Sequence, residues 1–98
     1  MPTPLPYPQA FLEGEDVEPA TGFGKAVRAR RLAAGLSQEQ LGLEAGLERV
    51  FISWMETGKK QATFNTMLKL AKALNCSAAD LVAEAEVILG EARSKSEQ

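Results

Sequence analysis

From Phe23 to Ala92 the chain contains no proline, and apolar residues return every three or four positions in five successive blocks. That spacing is the period of amphipathic helices, and the blocks are separated by glycines or by residues that cap helices. The first helix is expected over roughly Gly24 to Ala34, with Val27 and Leu32 inward, and Gly35 stops it. The second starts at Ser37, where Gln40 three residues on completes a capping box, buries Leu41 and Ala45, and ends at Gly46. The third runs from about Glu48 to Thr57 with Ile52 and Met55 inward and closes at Gly58. Thr63 caps the fourth, whose Met67, Leu68, Leu70, Ala71 and Leu74 make a broad apolar face. Ser77 or Asp80 opens the fifth, with Leu81, Val82, Ala85, Ile88 and Leu89 apolar. The reading is an all-α fold, a compact bundle of five helices over residues 23–92.

The flanks differ. Residues 1–22 hold all five prolines and no sustained apolar period, which reads as an extended arm. Within it Tyr7, Phe11 and Leu12 are available to dock on the domain or on a second subunit. Residues 93–98 read as a frayed polar tail. No stretch approaches the apolar length of a membrane span, and the beginning Met1-Pro2-Thr3-Pro4 lacks the basic and apolar parts of a secretion signal, so the expected compartment is the cytoplasm.

Charge changes this picture more than composition does. The net charge is −2, yet residues 1–23 carry four acids and no base, while residues 24–75 carry nine bases and four acids. A basic centre between acidic ends points to an anionic partner for the centre. An acidic arm is unsuited to entering a minor groove, where phosphates would repel it. Histidine is absent and Cys76 is the single cysteine, so metal sites built from nitrogen and sulfur, a disulfide within the chain and histidine-based nucleophilic catalysis are all excluded. Cys76 is best read as a small packing residue. No cofactor and no catalytic group is expected.

The central segment has the arrangement of two short helices around a tight turn. Ala45 is small where they would cross, Gly46 can take a positive φ, and Leu47 and Ile52 fill the angle between them. Four pieces in order, Gly35-Leu36-Ser37-Gln38-Glu39-Gln40-Leu41, Ala45-Gly46-Leu47, Ile52-Ser53 with Met55-Glu56 and Gly58-Lys59, and Leu68 to Leu74, resemble the lambda-repressor-like family of Xre/Cro-type regulators. The resemblance covers residues from about 24 to 83. It implies a sequence-specific DNA-binding regulator or repressor, a homodimer on double-stranded DNA, with the third helix in the major groove and the second across the backbone. Carried over position by position, it places Gln38 at a glutamine that touches DNA and buttresses the recognition helix. It places Arg49, Val50 and Trp54 at base-reading positions, Ser37, Thr57 and Lys59 at backbone-contacting ones, and Arg31 with Glu56 at a pair tying the first helix to the end of the third.

Physical chemistry assigns the same face independently. With Ile52 and Met55 inward, the 100° helical step turns Arg49, Val50, Ser53 and Trp54 outward. Arg49 suits guanine O6 and N7, and Val50 a thymine methyl. Lys59, Lys60, Ser37 and the amino ends of the second and fourth helices suit phosphates, which orient rather than specify. Plainer roles compete: Arg49 as a solvated charge, Gln38 as a cap, Lys59 and Lys60 as partners of a helix carboxyl end. Leu81, Ala85 and Ile88 are candidates for the dimer contact or for the core.

Three features depart from the family pattern. Glu48 opens the recognition helix where a small polar residue is usual; it can cap the helix, pair with Arg49 or accept from cytosine N4. Val50, Phe51 and Trp54 make the outer face apolar, which supports a second reading: a protein-interaction module, antitoxin-like or anti-repressor-like, using those three side chains. Phe51 and Trp54 can instead pack on each other over the core. Gly42, where alanine is usual, is expected to weaken the second helix slightly.

Overall fold

The computed structural model describes residues 18–96, with side chains described as far as Ala92. It contains α1 (Pro19–Ala33), α2 (Gln38–Ala45), α3 (Arg49–Glu56), α4 (Phe64–Ala73) and α5 (Ala78–Ser96), and no strand among the described residues. The acidic, proline-rich segment up to residue 17, with Tyr7, Phe11 and Leu12, lies outside the described residues.

Both ends of the domain are longer than the sequence pattern suggests. α1 begins at Pro19, inside the segment read as arm, because proline at a first helical position loses no bond there and already has a helical φ. α5 continues through the residues read as a frayed tail, to Ser96. Two capping boxes fix internal starts. The Ser37 N–H donates to Gln40 Oε1 (2.8 Å) and the Gln40 N–H to Ser37 Oγ (3.0 Å). Ser77 and Asp80 do the same for α5, each backbone N–H donating to the other's side chain at 3.0 Å. Hydrogen bonding to the carboxylate from Ser77, its backbone N–H first and its side-chain hydroxyl second, holds the Asp80 carboxyl below its ordinary range. Thr63 caps α4 by accepting from the Thr66 N–H.

α1 packs along α5 and crosses the carboxyl end of α3, α2 packs on α3 and α4, and α4 rests on α5. The crossing of α1 over α3 is close enough that a β-carbon at Gly24 would collide with the Met55 carbonyl. Val27, Leu41, Ile52, Met55, Leu70 and Leu81 are the largest fully buried side chains, one or more from each helix. Leu32 and Leu68, expected inside, are 53% and 47% exposed. Their helical neighbours Arg31, not expected inside, and Ala71 are the buried ones, and the true burial arc on each helix is narrower than the apolar run. Leu81 and Ala85 are buried in the monomer's core and are not free for a dimer contact, while Ile88 is half-buried and packs against that core. Val82, by contrast, faces outward.

Cys76 is half-buried and packs against the core, and burial pushes its thiol pKa up, which leaves it a packing residue with little thiolate. Among the described residues no group of side chains could hold a metal ion, and no helix is long and apolar enough to cross a membrane.

Candidate nucleic-acid interface

The α2–α3 pair owes its angle to a very short turn. Gly46 closes α2 with φ 71°, a left-handed conformation that β-carbons resist. The Leu47 N–H then donates back to the Gly42 carbonyl at 2.8 Å, bringing the turn down onto the second helix. A β-carbon at residue 42 would sit 2.5 Å from the Leu47 carbonyl oxygen. Gly42 therefore sets how closely the turn approaches, and the helix-weakening effect expected of it is the lesser consequence.

α3 presents two faces. Ile52 and Met55 are fully buried, while Arg49, Val50 and Trp54 are exposed, Trp54 at 41%, and Ser53 is half-exposed between them. Phe51 is half-buried against the core. It does not belong to the outer apolar face, which is reduced to Val50 and Trp54. Glu48 is the residue before the first helical turn, and its side chain makes no capping bond. Neither does it pair with Arg49: the ion pairs among the described residues are Arg31–Glu56 and Arg30–Glu84. Two of the three explanations for this acid are thereby removed.

The carboxyl end of α3 is anchored from below. Arg31 donates from Nε to Glu56 Oε2 (2.7 Å) and from Nη2 to Glu56 Oε1 (2.9 Å), a two-pronged pair whose side chains are only 9% and 2% exposed. Its Nη1 donates to the Leu36 carbonyl at 2.9 Å, which also fixes the approach to α2. The bond to Glu56 raises the Arg31 pKa above its already high ordinary value. Gln38 joins from the first position of α2, its Nε2 donating to Glu56 Oε1 at 3.2 Å. Four residues from α1, the α1–α2 link, α2 and α3 thus share one network, and no buried side-chain polar atom among the described residues lacks a partner.

Ser37 is exposed at the start of α2. Thr57, just past α3, turns its hydroxyl back to the Ser53 and Trp54 carbonyls (3.0 and 3.2 Å). Lys59 and Lys60 follow, exposed, with both backbone N–H groups donating to the Trp54 carbonyl. The sequence pattern did not disclose the Gln38–Glu56 bond, nor the second bidentate pair, Arg30 Nε to Glu84 Oε1 and Nη2 to Oε2, which links α1 to α5. The latter joins residues 54 apart in sequence, and no local spacing reports a contact at that range.

A short helix–turn–helix whose second helix turns Arg49, Val50, Ser53 and Trp54 outward, with a supporting bundle of three further helices, defines a lambda-repressor-like DNA-binding domain. A helix-turn-helix family model matches residues 27–81, more than half of the chain, and the chain belongs to that family. It is a sequence-specific DNA-binding transcription regulator. It is 38% identical over 61 residues to the control protein C.BamHI of Bacillus amyloliquefaciens, an overlap of 61% of this chain and 75% of that one. It is 43% identical over 56 residues to the control protein C.SmaI of Serratia marcescens, covering 57% and 67% of the two. The crystal structure of the restriction-modification controller protein C.AhdI from Aeromonas hydrophila superimposes with a TM-score of 0.62 at 37% identity, over 63% of this chain and 94% of that chain. The clp gene regulator ClgR of Corynebacterium glutamicum shares the fold, with a TM-score of 0.80 at 21% identity over 83% and 86% of the two chains.

Proposed function

We propose that the protein controls transcription as a homodimer on a two-fold-related operator, in the manner of the restriction-modification controllers it resembles, with α3 in the major groove of each half-site. The observation that carries this reading is the division of α3: one face is locked into the core through Ile52 and Met55, and the other offers Arg49, Val50, Ser53 and Trp54 to solvent. Arg49 reads guanine through two hydrogen bonds, Val50 and Trp54 supply apolar contact to thymine methyls, and Gln38 adds a polar contact from α2. Glu48, uncapped and unpaired, accepts from a cytosine N4 beside the Arg49 contact. Ser37, Thr57, Lys59 and Lys60 hold phosphates and set the register.

One α3 reads only a few base pairs, so two half-sites about 34 Å apart are needed for useful specificity. The pairing surface we assign is the outward apolar stripe of Leu68 on α4 and Val82 on α5. Leu68 and Ala78 line one shallow groove, and Val82 lies one helical turn beyond Ala78. The protein-interaction alternative loses Phe51, which is half-buried against the core, and keeps Val50 and Trp54.

Selection of bound sequences from a random DNA pool at two salt concentrations tests this reading. The expected product is a symmetric pair of half-sites bound with a steep loss of affinity as salt rises. Retention indifferent to sequence, or insensitive to salt, would overturn it.

A further inference from the structure

The bond between Gln38 and Glu56 has a direction dictated by chemistry. A carboxylate only accepts hydrogen bonds, and both Glu56 oxygens already receive N–H groups from Arg31. The atom of Gln38 that meets Glu56 Oε1, at 3.2 Å, is the donor Nε2. The opposite amide orientation would press a carbonyl oxygen against a carboxylate. A free surface glutamine samples both orientations by rotating its last torsion; here that freedom is gone. Arg31 cannot swing away to release it, since its third nitrogen is held by the Leu36 carbonyl and the pair is almost fully buried.

One Gln38 N–H is therefore spent inward, and the second N–H and Oε1 remain for a partner. We propose that the Arg31–Glu56 pair is a positioning device for base selection: it fixes Gln38 as one donor beside one acceptor, the complement of adenine. Adenine offers N7 as acceptor and its 6-amino group as donor, whereas guanine offers two acceptors, N7 and O6. Glu56 and Arg31 touch no base; they act through Gln38. The inference rests on the assignment of Gln38 as a base reader.

Glu56→Gln supplies the sharpest contrast. Its single carbonyl is required by Arg31, so its NH2 faces Gln38 and forces that amide to turn over, aiming N–H groups outward. The test is operator binding by the wild-type protein, Gln38→Leu and Glu56→Gln, each first checked for the helical spectrum of the folded domain. At the operator position where Gln38→Leu abolishes base preference, the wild type selects adenine over guanine by roughly five- to hundred-fold. Glu56→Gln lowers or inverts that ratio while preferences at the other positions persist. Should Glu56→Gln fail to fold, analogue bases read the same geometry in the wild type. Replacing that adenine by 7-deazaadenine, which lacks the N7 acceptor, or by purine, which lacks the 6-amino donor, weakens wild-type binding in each case and leaves Gln38→Leu unaffected.

A wild-type preference for any other base at that position overturns the proposal, as does an adenine preference that survives unchanged in folded Glu56→Gln. If Gln38→Leu weakens all sequences equally, Gln38 holds the backbone: the base-reader assignment fails, and the positioning role falls with it.

Discussion

Arg30 and Arg31 are neighbours on α1 and each grips a glutamate with two nitrogens, yet they serve different parts of the molecule. A single 100° helical step sends Arg31 under α3, where its pair with Glu56 is 9% and 2% exposed, and leaves Arg30 at the α1–α5 seam, where its pair with Glu84 is 33% and 40% exposed. The bond to Glu84 raises the Arg30 pKa, as the bond to Glu56 does for Arg31, so the local chemistry is nearly the same. The difference is the surrounding medium. Water and salt screen the Arg30 pair and stand ready to replace either partner, so its net effect on stability is small. Nothing can replace a partner of Arg31, and loss of one leaves a charge stranded in the interior. The carboxyl end of α3 thus rests on the drier of the two ion pairs.

The largest expected effect follows from breaking the buried side of this comparison. Glu56→Ala is expected to destabilise the domain by about 3–5 kcal/mol, read from urea unfolding, because it strands the Arg31 guanidinium and frees Gln38 together. A loss below ~1 kcal/mol would put the two arginines on an equal footing and dissolve the contrast.

Next in size are the contacts that this anchoring serves. Arg49→Ala should cost about 1–3 kcal/mol of discrimination at one position of each half-site, while Lys59→Ala should weaken all sequences alike and lower the salt dependence. Titrations against operator variants at several salt concentrations separate the two. Identical profiles would mean that the anchored face does not divide into readers and holders. Val82→Glu tests the assigned pairing stripe without touching either arginine: sedimentation should give a monomer whose unfolding is unaltered, and a stable dimer of that variant would remove Val82 from the interface.

On the exposed side, Glu84→Ala should barely shift the unfolding midpoint, and the shift should disappear in high salt; a salt-resistant loss would mean that the seam is drier than its exposure indicates. Smallest of all is the effect of Asp80. Its pKa is depressed in the folded protein by the hydrogen bonds from Ser77, so its contribution is complete above the ordinary carboxylate value. It fades as pH falls through the lower folded value. Asp80→Asn should therefore be less stable than the wild type at pH 6, with the gap closing in strong acid. A gap that is constant with pH would assign the effect to the shape of the cap and not to its charge.

Much of the architecture could be read from the chain because helices announce themselves locally. Ser37 with Gln40, Thr63, Gly46 and the spacing of Ile52 and Met55 each depend on residues a few positions apart, and the structure contains the corresponding caps, turn and buried pair. Arg31 with Glu56 was accessible only through family resemblance. What stayed hidden depends on packing between distant segments. Leu32 and Leu68 are as apolar as the buried Val27 and Leu70 on the same helices, and only the position of the next helix decides which of them is covered. Pro19 looked like the last of a run of arm prolines, though its φ suits a first turn equally well. Phe51 lies on the border between the two faces of α3, where a sequence period cannot choose. The role of Gly42 depended on the Leu47 carbonyl coming to rest against it, a distance that no helical propensity encodes.

The seam between α1 and α5 also bears on when the protein becomes active. α1 runs so near α5 that a β-carbon at Gly22 would lie 2.6 Å from Leu89 Cγ, and Arg30 waits for Glu84 on the same helix. Among the described helices α1 is therefore completed by α5, which is translated after it, and α3 between them in the chain is braced from α1. A nascent chain that has emerged only through α3 holds every proposed base-reading residue but not the frame that aims them. Translation of α5 therefore marks the moment at which the frame around α3 can close.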